Sequence, residues 1–142
     1  SRTIDNFMFY ERTIRLADTD AAGVIYFASL LSICHEAYEA SLEETGISLQ
    51  LFLKDRSVAI PIVHAEIDFF RPLYCNDKIK ITLKPQLLNE HEFEIEYMIA
   101  GILQSEKSVA LAKTRHVYID PQKRCKIALP ETFMAWLGAK NC

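Results

Sequence analysis

The chain has 142 residues, 50% of them hydrophobic and 25% charged, with a formal net charge of −3. That length fits a single domain, 1–142, which hides about 68–70% of its unfolded surface and so holds a core without disulfide or metal. The slight acidity argues against a nucleic-acid partner, and no apolar run reaches the about 20 residues of a membrane span.

Residues 7–16, FMFYERTIRL, alternate and are rich in aromatics, which predicts a first strand. ADTDAAG follows as a polar loop of small residues. From Phe27 the period changes to that of a helix. Phe27, Leu30, Leu31, Cys34, Ala37, Tyr38, Ser41 and Leu42 make one buried stripe, and Glu36, Glu39, Glu43 and Glu44 fall mostly off it, on the wet side. Gly46 stands where a left-handed C-terminal cap belongs, so the helix has about 17 residues. Ser48 is the N-cap of a shorter helix over 48–54.

The remainder reads as β. From Val58 to Phe70 the odd positions (Pro61, Val63, Ala65, Ile67, Phe69) are apolar and the even ones (His64, Glu66, Asp68) are not, as in a sheet covered on one face. Residues 77–84 and 92–99 repeat the device, and 107–119 is a further strand with looser alternation. Asn89-Glu90-His91 and Gln104-Ser105-Glu106 are the breaks of a meander, and 131–138 is a last helical turn around Trp136. Short hairpins dictate antiparallel pairing. The fold class is α+β, one long helix lying across a curved antiparallel sheet.

Cys34, Cys75, Cys125 and Cys142 are scattered, without the C-x-x-C or His spacing of a zinc site. Reduced thiols and a cytoplasmic location are expected, since no signal-peptide pattern is visible. No metal and no cofactor are expected.

The stretch that can carry chemistry is LADTDAAGVIYF, residues 16–27. It sets Asp18 and Asp20 just before the long helix, whose first N–H groups are unpaired and carry about half a positive charge. A carbonyl oxygen there is polarised, and an ionised carboxylate nearby can attack it or activate water. On spacing alone the simpler reading, an acidic N-cap, has the advantage. A calcium loop lacks its later acidic ligands.

DTDAAGVIYF followed by CHEAYE resembles the signature of the 4-hydroxybenzoyl-CoA thioesterase family, over residues 10 to about 120. The resemblance implies a hotdog fold and metal-free hydrolysis of an acyl-CoA thioester. It implies Asp20 as the catalytic carboxylate and the Phe27 N–H as the group that polarises the carbonyl. Gly23 and Tyr26 match the loop pattern, and Asp18 matches a first family Asp of less clear role. With AIPIVHAEIDFFRP added, the chain is similar to the cyanobacterial-type branch that acts on 1,4-dihydroxy-2-naphthoyl-CoA for phylloquinone synthesis. His64 is the residue connected with that branch, where it would read an aromatic hydroxyl. A histidine that merely bonds a neighbour at a dimer interface is an equal alternative.

Lys123 and Arg124 belong to the one local basic excess and are candidates for the CoA phosphates, although a charge run is more often a solvated face. His35 and Glu39 share a helix face at i and i+4, and a solvated or subunit-facing surface is the simpler account than a metal. No G-x-S-x-G, Walker loop or dinucleotide fingerprint occurs. Three functions stay open: a thioesterase with Asp20 as nucleophile or as base, a non-catalytic module binding acyl-CoA or an acyl-carrier protein, and, last, a dehydratase centred on His64. The resemblance also implies a homodimer or homotetramer.

Overall fold

The computed structural model describes residues 8–103 and 107–138. Its strands are β1 (Met8–Thr13), β2 (Ile62–Phe69), β3 (Lys78–Asn89), β4 (Glu92–Gly101) and β5 (Ser108–Val117), with a small pair β6 (Ile119–Asp120) and β7 (Cys125–Lys126). The helices are α1 (Phe27–Glu44), α2 (Leu49–Lys54) and α3 (Glu131–Leu137). The first five strands form one antiparallel sheet in the order β1-β3-β4-β5-β2.

Period-two alternation puts one ladder of apolar side chains on one face. Ile81 and Leu83 of β3 lie opposite Ile99 and Tyr97 of β4, and Phe93, Ile95 and Tyr97 of β4 opposite His116, Thr114 and Ala112 of β5. All of these are buried. Fully burying a side chain the size of Ile or Leu is worth about 1.5–3 kcal/mol, so this ladder and what covers it hold the fold. The cover is α1, through Leu30, Ile33, Cys34, Ala37, Tyr38, Ser41 and Leu42. Gly46, at φ +87, ends it: its N–H donates to the Glu43 carbonyl and that of Ile47 to Leu42, a turn that only a residue at ease with positive φ makes cheaply.

α3 closes one end of the core. Its Trp136 indole N–H donates to Ser41 Oγ at 3.0 Å, and that hydroxyl donates to the Tyr38 carbonyl. A second buried polar chain runs Tyr97 Oη, Thr114 Oγ1, His116 Nε2, at 2.9 and 2.8 Å. The His116 ring stacks on Phe93, centroids 4.6 Å apart and 7° from parallel, and among the described residues its Nδ1 has no hydrogen-bond partner.

Several boundaries move from their sequence-based positions. Phe27 leaves the stripe and Ile33 joins it, because the first turn of α1 overhangs the sheet, while Leu31 stays partly buried against the core. Glu36, expected on the wet side, turns to β1 and is half-buried there. β1 ends at Thr13, short of the expected Leu16, and Leu16–Asp18 form a 3-10 turn that leads into the expected loop. β3 runs past its expected end through Pro85, which costs nothing in pairing: β1 reaches only Leu83, so no described strand lies where that missing N–H would point. The strand expected over 107–119 breaks after Val117, and its end pairs with β7, which has no sequence-based counterpart. Ser48 caps α2 as expected, accepting from the Leu51 N–H at 3.2 Å. The turn at Gln104-Ser105-Glu106 lies outside the described residues, as does Cys142. Cys34, Cys75 and Cys125 are free thiols. Among the described residues no helix is long and apolar enough to cross a membrane.

Candidate active site

Residues 18–26 form a hairpin-shaped loop that delivers the chain into α1. Its two legs are tied at three levels: the Tyr26 N–H donates to the Asp18 carbonyl at 2.9 Å, Thr19 bridges to Ile25, and the Asp20 N–H donates to the Val24 carbonyl at 2.8 Å. Gly23, at φ +83, turns the tip, with its N–H on the Asp20 carbonyl. The second leg is fastened to the body by the Ile25 N–H on the Leu73 carbonyl and by a bridge from Val24 to Tyr74.

Asp20 is exposed, and its carboxylate uses one oxygen on its own loop. Oδ1 accepts from the Ala22 N–H at 2.8 Å and, more weakly, from Val24 at 3.4 Å. Oδ2 takes no hydrogen bond among the described residues. A short side chain bonding the backbone two residues on is a common way to fix a carboxylate at a turn.

Tyr26 is the N-cap of α1, and its side chain makes no cap bond. No acidic residue stands in the first turn, and among the described residues the Phe27 and Ala28 N–H groups have no acceptor. The acidic N-cap that spacing favoured is therefore absent: Asp18 bonds Arg12 and the Arg15 N–H, Asp20 bonds its own loop, and the helix start is left open. Open N–H groups on the positive end of an 18-residue helix suit an oxygen that gains negative charge. The Tyr26 and Phe27 rings stand at the same place, centroids 4.8 Å apart, and Phe27 is 58% exposed.

Asp18 has a different fate from Asp20. Its side chain is only 14% exposed and sits on Arg12, Nη1 to Oδ2 at 2.6 Å, with the Arg15 N–H on the same oxygen at 2.8 Å. Burial pushes its carboxyl up, and the Arg12 and Arg15 contacts outweigh that, holding it below the usual carboxylate range. Arg12 Nε donates to Glu36 Oε2 at 2.9 Å, and the same oxygen accepts from Tyr10 Oη. Burial and then Glu36 push the Tyr10 phenol up to about 12, so it stays a donor. Sequence reasoning did not find Arg12 or this use of Glu36. Their partners are remote in sequence, and only the spacing of Arg12 to Asp18 within the strand-to-loop segment hinted at them.

The other candidates lie elsewhere on the protomer. His64 is on β2, on the sheet face turned away from α1, with its Nε2 on Glu66 Oε1 at 2.9 Å. Phe69 and Phe70, at the far end of β2, share a cleft with Val24 and Ile25 of the hairpin loop. Phe69 is five positions beyond His64, which along a strand is roughly 17 Å. Lys123 and Arg124 sit in the β6–β7 turn, where Asp120 Oδ1 accepts from the Gln122 and Lys123 N–H groups and Arg124 has φ +54. Arg124, Cys125 and Lys126 flank an apolar cleft of about 470 Å³ with Pro61, Val63, Val117 and Ile119. Lys126 is drawn to Glu92 at 3.5 Å. The chain thus brings Asp20, Gly23, Tyr26 and Phe27 together and sets His64, Lys123 and Arg124 apart from them. His35 Nδ1 pairs with Glu39 at 3.0 Å on the surface, and no group of three metal-ligating side chains occurs among the described residues.

Residues 14–137 match the model of the Thioesterase-like superfamily. A 1,4-dihydroxy-2-naphthoyl-CoA hydrolase of Rippkaea orientalis is 62% identical over 128 residues, 90% of this chain and 93% of its own. One from Gloeothece citriformis is 56% identical over 135 residues, 94% of each chain. Among solved structures, a 1,4-dihydroxy-2-naphthoyl-CoA thioesterase from Synechocystis matches with a TM-score of 0.89 at 39% identity, over 93% of this chain and 96% of that one.

Proposed function

The chain belongs to the Thioesterase-like superfamily and has its hotdog fold, and from that premise we propose that it hydrolyses 1,4-dihydroxy-2-naphthoyl-CoA, as a step of phylloquinone synthesis, with Asp20 and the open start of α1. The observation that carries the mechanism is the pairing of a carboxylate with one free oxygen and a helix start with free N–H groups, joined by one short loop. The relatives that carry the substrate are the two hydrolases and the Synechocystis enzyme.

In this reading the thioester oxygen accepts from the Phe27 N–H, where the helix end stabilises the charge that develops as the carbonyl carbon becomes tetrahedral. Asp20 attacks that carbon through Oδ2, the C–S bond breaks, and CoA leaves as a thiolate that takes a proton from water. Water then hydrolyses the mixed anhydride. Acting as base, Asp20 instead removes a proton from the water that attacks. The exposed Tyr26 and Phe27 rings form an apolar wall suited to an aromatic acyl group, and Gly23 lets the loop turn at a positive φ without backbone strain.

Two copies pair through β2 in this reading. Among the described residues β2 is a free edge, exposed at every residue except Ile67, and it carries Ile62, Val63 and Phe69 outward. Antiparallel pairing of β2 with its mate lays the Ile62 end of one copy beside the Phe69 end of the other. His64 and the Lys123–Arg124 turn would then serve the neighbouring copy's centre, the first towards a ring hydroxyl, the second towards the CoA phosphates. A homotetramer extends the same scheme. A cytoplasmic location goes with exposed thiols at Cys75 and Cys125.

The test is thiol release from a panel of naphthoyl, 4-hydroxybenzoyl, benzoyl and palmitoyl esters of CoA, for the wild type and Asp20→Asn. Preference for the dihydroxynaphthoyl ester and a loss of about 10²–10⁴-fold in kcat for the variant are expected. A folded Asp20→Asn enzyme with near-normal kcat would refute the role, and binding without release of any thiol would mark a non-catalytic module.

A further inference from the structure

We infer that Arg12 is a positioning residue for Asp20, a clamp that fixes the leg of the hairpin loop carrying the attacking carboxylate; the inference rests on the reading of Asp20 just given. The two legs of that loop are anchored by different means. The second has the backbone contacts to Leu73 and Tyr74. The first, from Leu16 to Asp20, has one side-chain tie to the body among the described residues: Asp18 on Arg12. Its other side-chain bonds, such as Thr19 Oγ1 to the Leu16 carbonyl and the Arg15 N–H to Asp18, stay within the turn and loop, and its backbone bonds outside the turn reach the second leg, from the Tyr26 N–H to the Asp18 carbonyl and from the Asp20 N–H to the Val24 carbonyl.

Arg12 suits the task by its shape. Its side chain is 21% exposed and its guanidinium is forked between two carboxylates, Nη1 and Nη2 towards Asp18 and Nε towards Glu36. Glu36 belongs to the third turn of α1, and Tyr10 Oη holds it from β1. A strand, a helix and a loop therefore converge on one cation. A planar, five-donor group can satisfy two acceptors in fixed directions, which a lysine ammonium does not reproduce. Asp18 is two residues from Asp20, so a shift of its carboxylate is passed along a short, hydrogen-bonded leg. The clamp touches neither the thioester nor the helix-start N–H groups, so it should govern turnover more than binding.

Steady-state kinetics with the naphthoyl ester test this. Arg12→Met is expected to lower kcat about 10- to 100-fold, the scale of a misplacement near 1 Å, with KM within about threefold of wild type. Arg12→Lys should recover part of that loss and Asp18→Asn should reproduce it. In an Asp20→Asn background, where there is no carboxylate to place, Arg12→Met should cost almost nothing more. A folded Arg12→Met enzyme with kcat within about twofold of wild type overturns the inference, as do losses for Arg12→Met and Asp20→Asn that simply multiply. Should Arg12→Met not fold, the near-isosteric Asp18→Asn carries the same comparisons. A wild-type kcat for Asp20→Asn sinks the reading of Asp20 itself, an outcome distinct from an intact Asp20 role with an indifferent Arg12.

Discussion

Asp18 and Asp20 are two residues apart and chemically alike, yet their surroundings send them to different work. Asp18 is clasped by a guanidinium and a backbone N–H, and Asp20 keeps one oxygen for solvent. Between them and the helix stands Gly23, whose φ of +83 is the loop's one demand on backbone freedom at its tip. No atom lies within 4 Å of where a Cβ would sit, so a side chain there meets open space and strain comes from the backbone alone. Gly23→Ala should therefore cost about 1–2 kcal/mol of local loop energy. Because the tip is exposed, that cost should appear as a fall in kcat, with a melting temperature within a few degrees of wild type by scanning calorimetry; an unchanged kcat would show that the tip conformation is dispensable.

At the scale of the element, β5 carries a buried histidine into a ladder that is apolar apart from the Thr114 and Tyr97 hydroxyls. Burial, helped by the charge of His35, pushes the His116 imidazole down to about 3, against about 6.5 in an unfolded chain. Between those values the unfolded chain binds a proton that the native one refuses. Stability is therefore complete above about pH 6.5 and falls by roughly 1.4 kcal/mol per unit as pH drops towards 3. Urea unfolding at pH 7 and 4.5 checks this. His116→Leu should start less stable at pH 7, having stranded the Thr114–Tyr97 pair, and should lose less between the two pH values than the wild type. Equal losses would mean that His116 already accepts a proton in the native state.

The elements also show what the sequence carried. The stripe of α1, its glycine stop and the Ser48 cap of α2 are local patterns, and all were legible. So was the Asp20 loop, because a turn, a carboxylate and a helix start sit within a few consecutive residues. Phe27 misled because periodicity says which face a residue shares and not whether anything covers that turn. The Arg12 clamp was illegible for another reason. It joins residues 24 apart in one pair and 26 in another, and their meeting depends on β1 pairing with β3 so that α1 crosses it. His64 was legible as a surface position, and its distance from Asp20 was not, because strand length separates them.

For the whole molecule, the free β2 edge sets the assembly that the proposed function needs. Replacing outward apolar residues with charge is how natural edges avoid pairing. The double variant Ile62→Lys and Phe69→Lys should therefore sediment as a monomer at concentrations where the wild type is a dimer or larger. It should keep its far-ultraviolet spectrum and lose turnover. A monomeric variant with full activity would show that each chain holds a complete centre, and an unaltered sedimentation coefficient would move the contact off β2.

The pairing of β1 with β3, not with a strand near it in sequence, bears on how the chain is made. Met8 meets Leu83 in the sheet, so the first strand leaves the ribosome and waits roughly 75 residues for its mate, on the order of 4–15 s at ordinary rates of synthesis. Over that interval the greasy side of α1 has no sheet to lie on. The nascent chain should be a client of whatever shields unfinished polypeptides, and slowing translation between codons 45 and 78 should lengthen its dependence on that help.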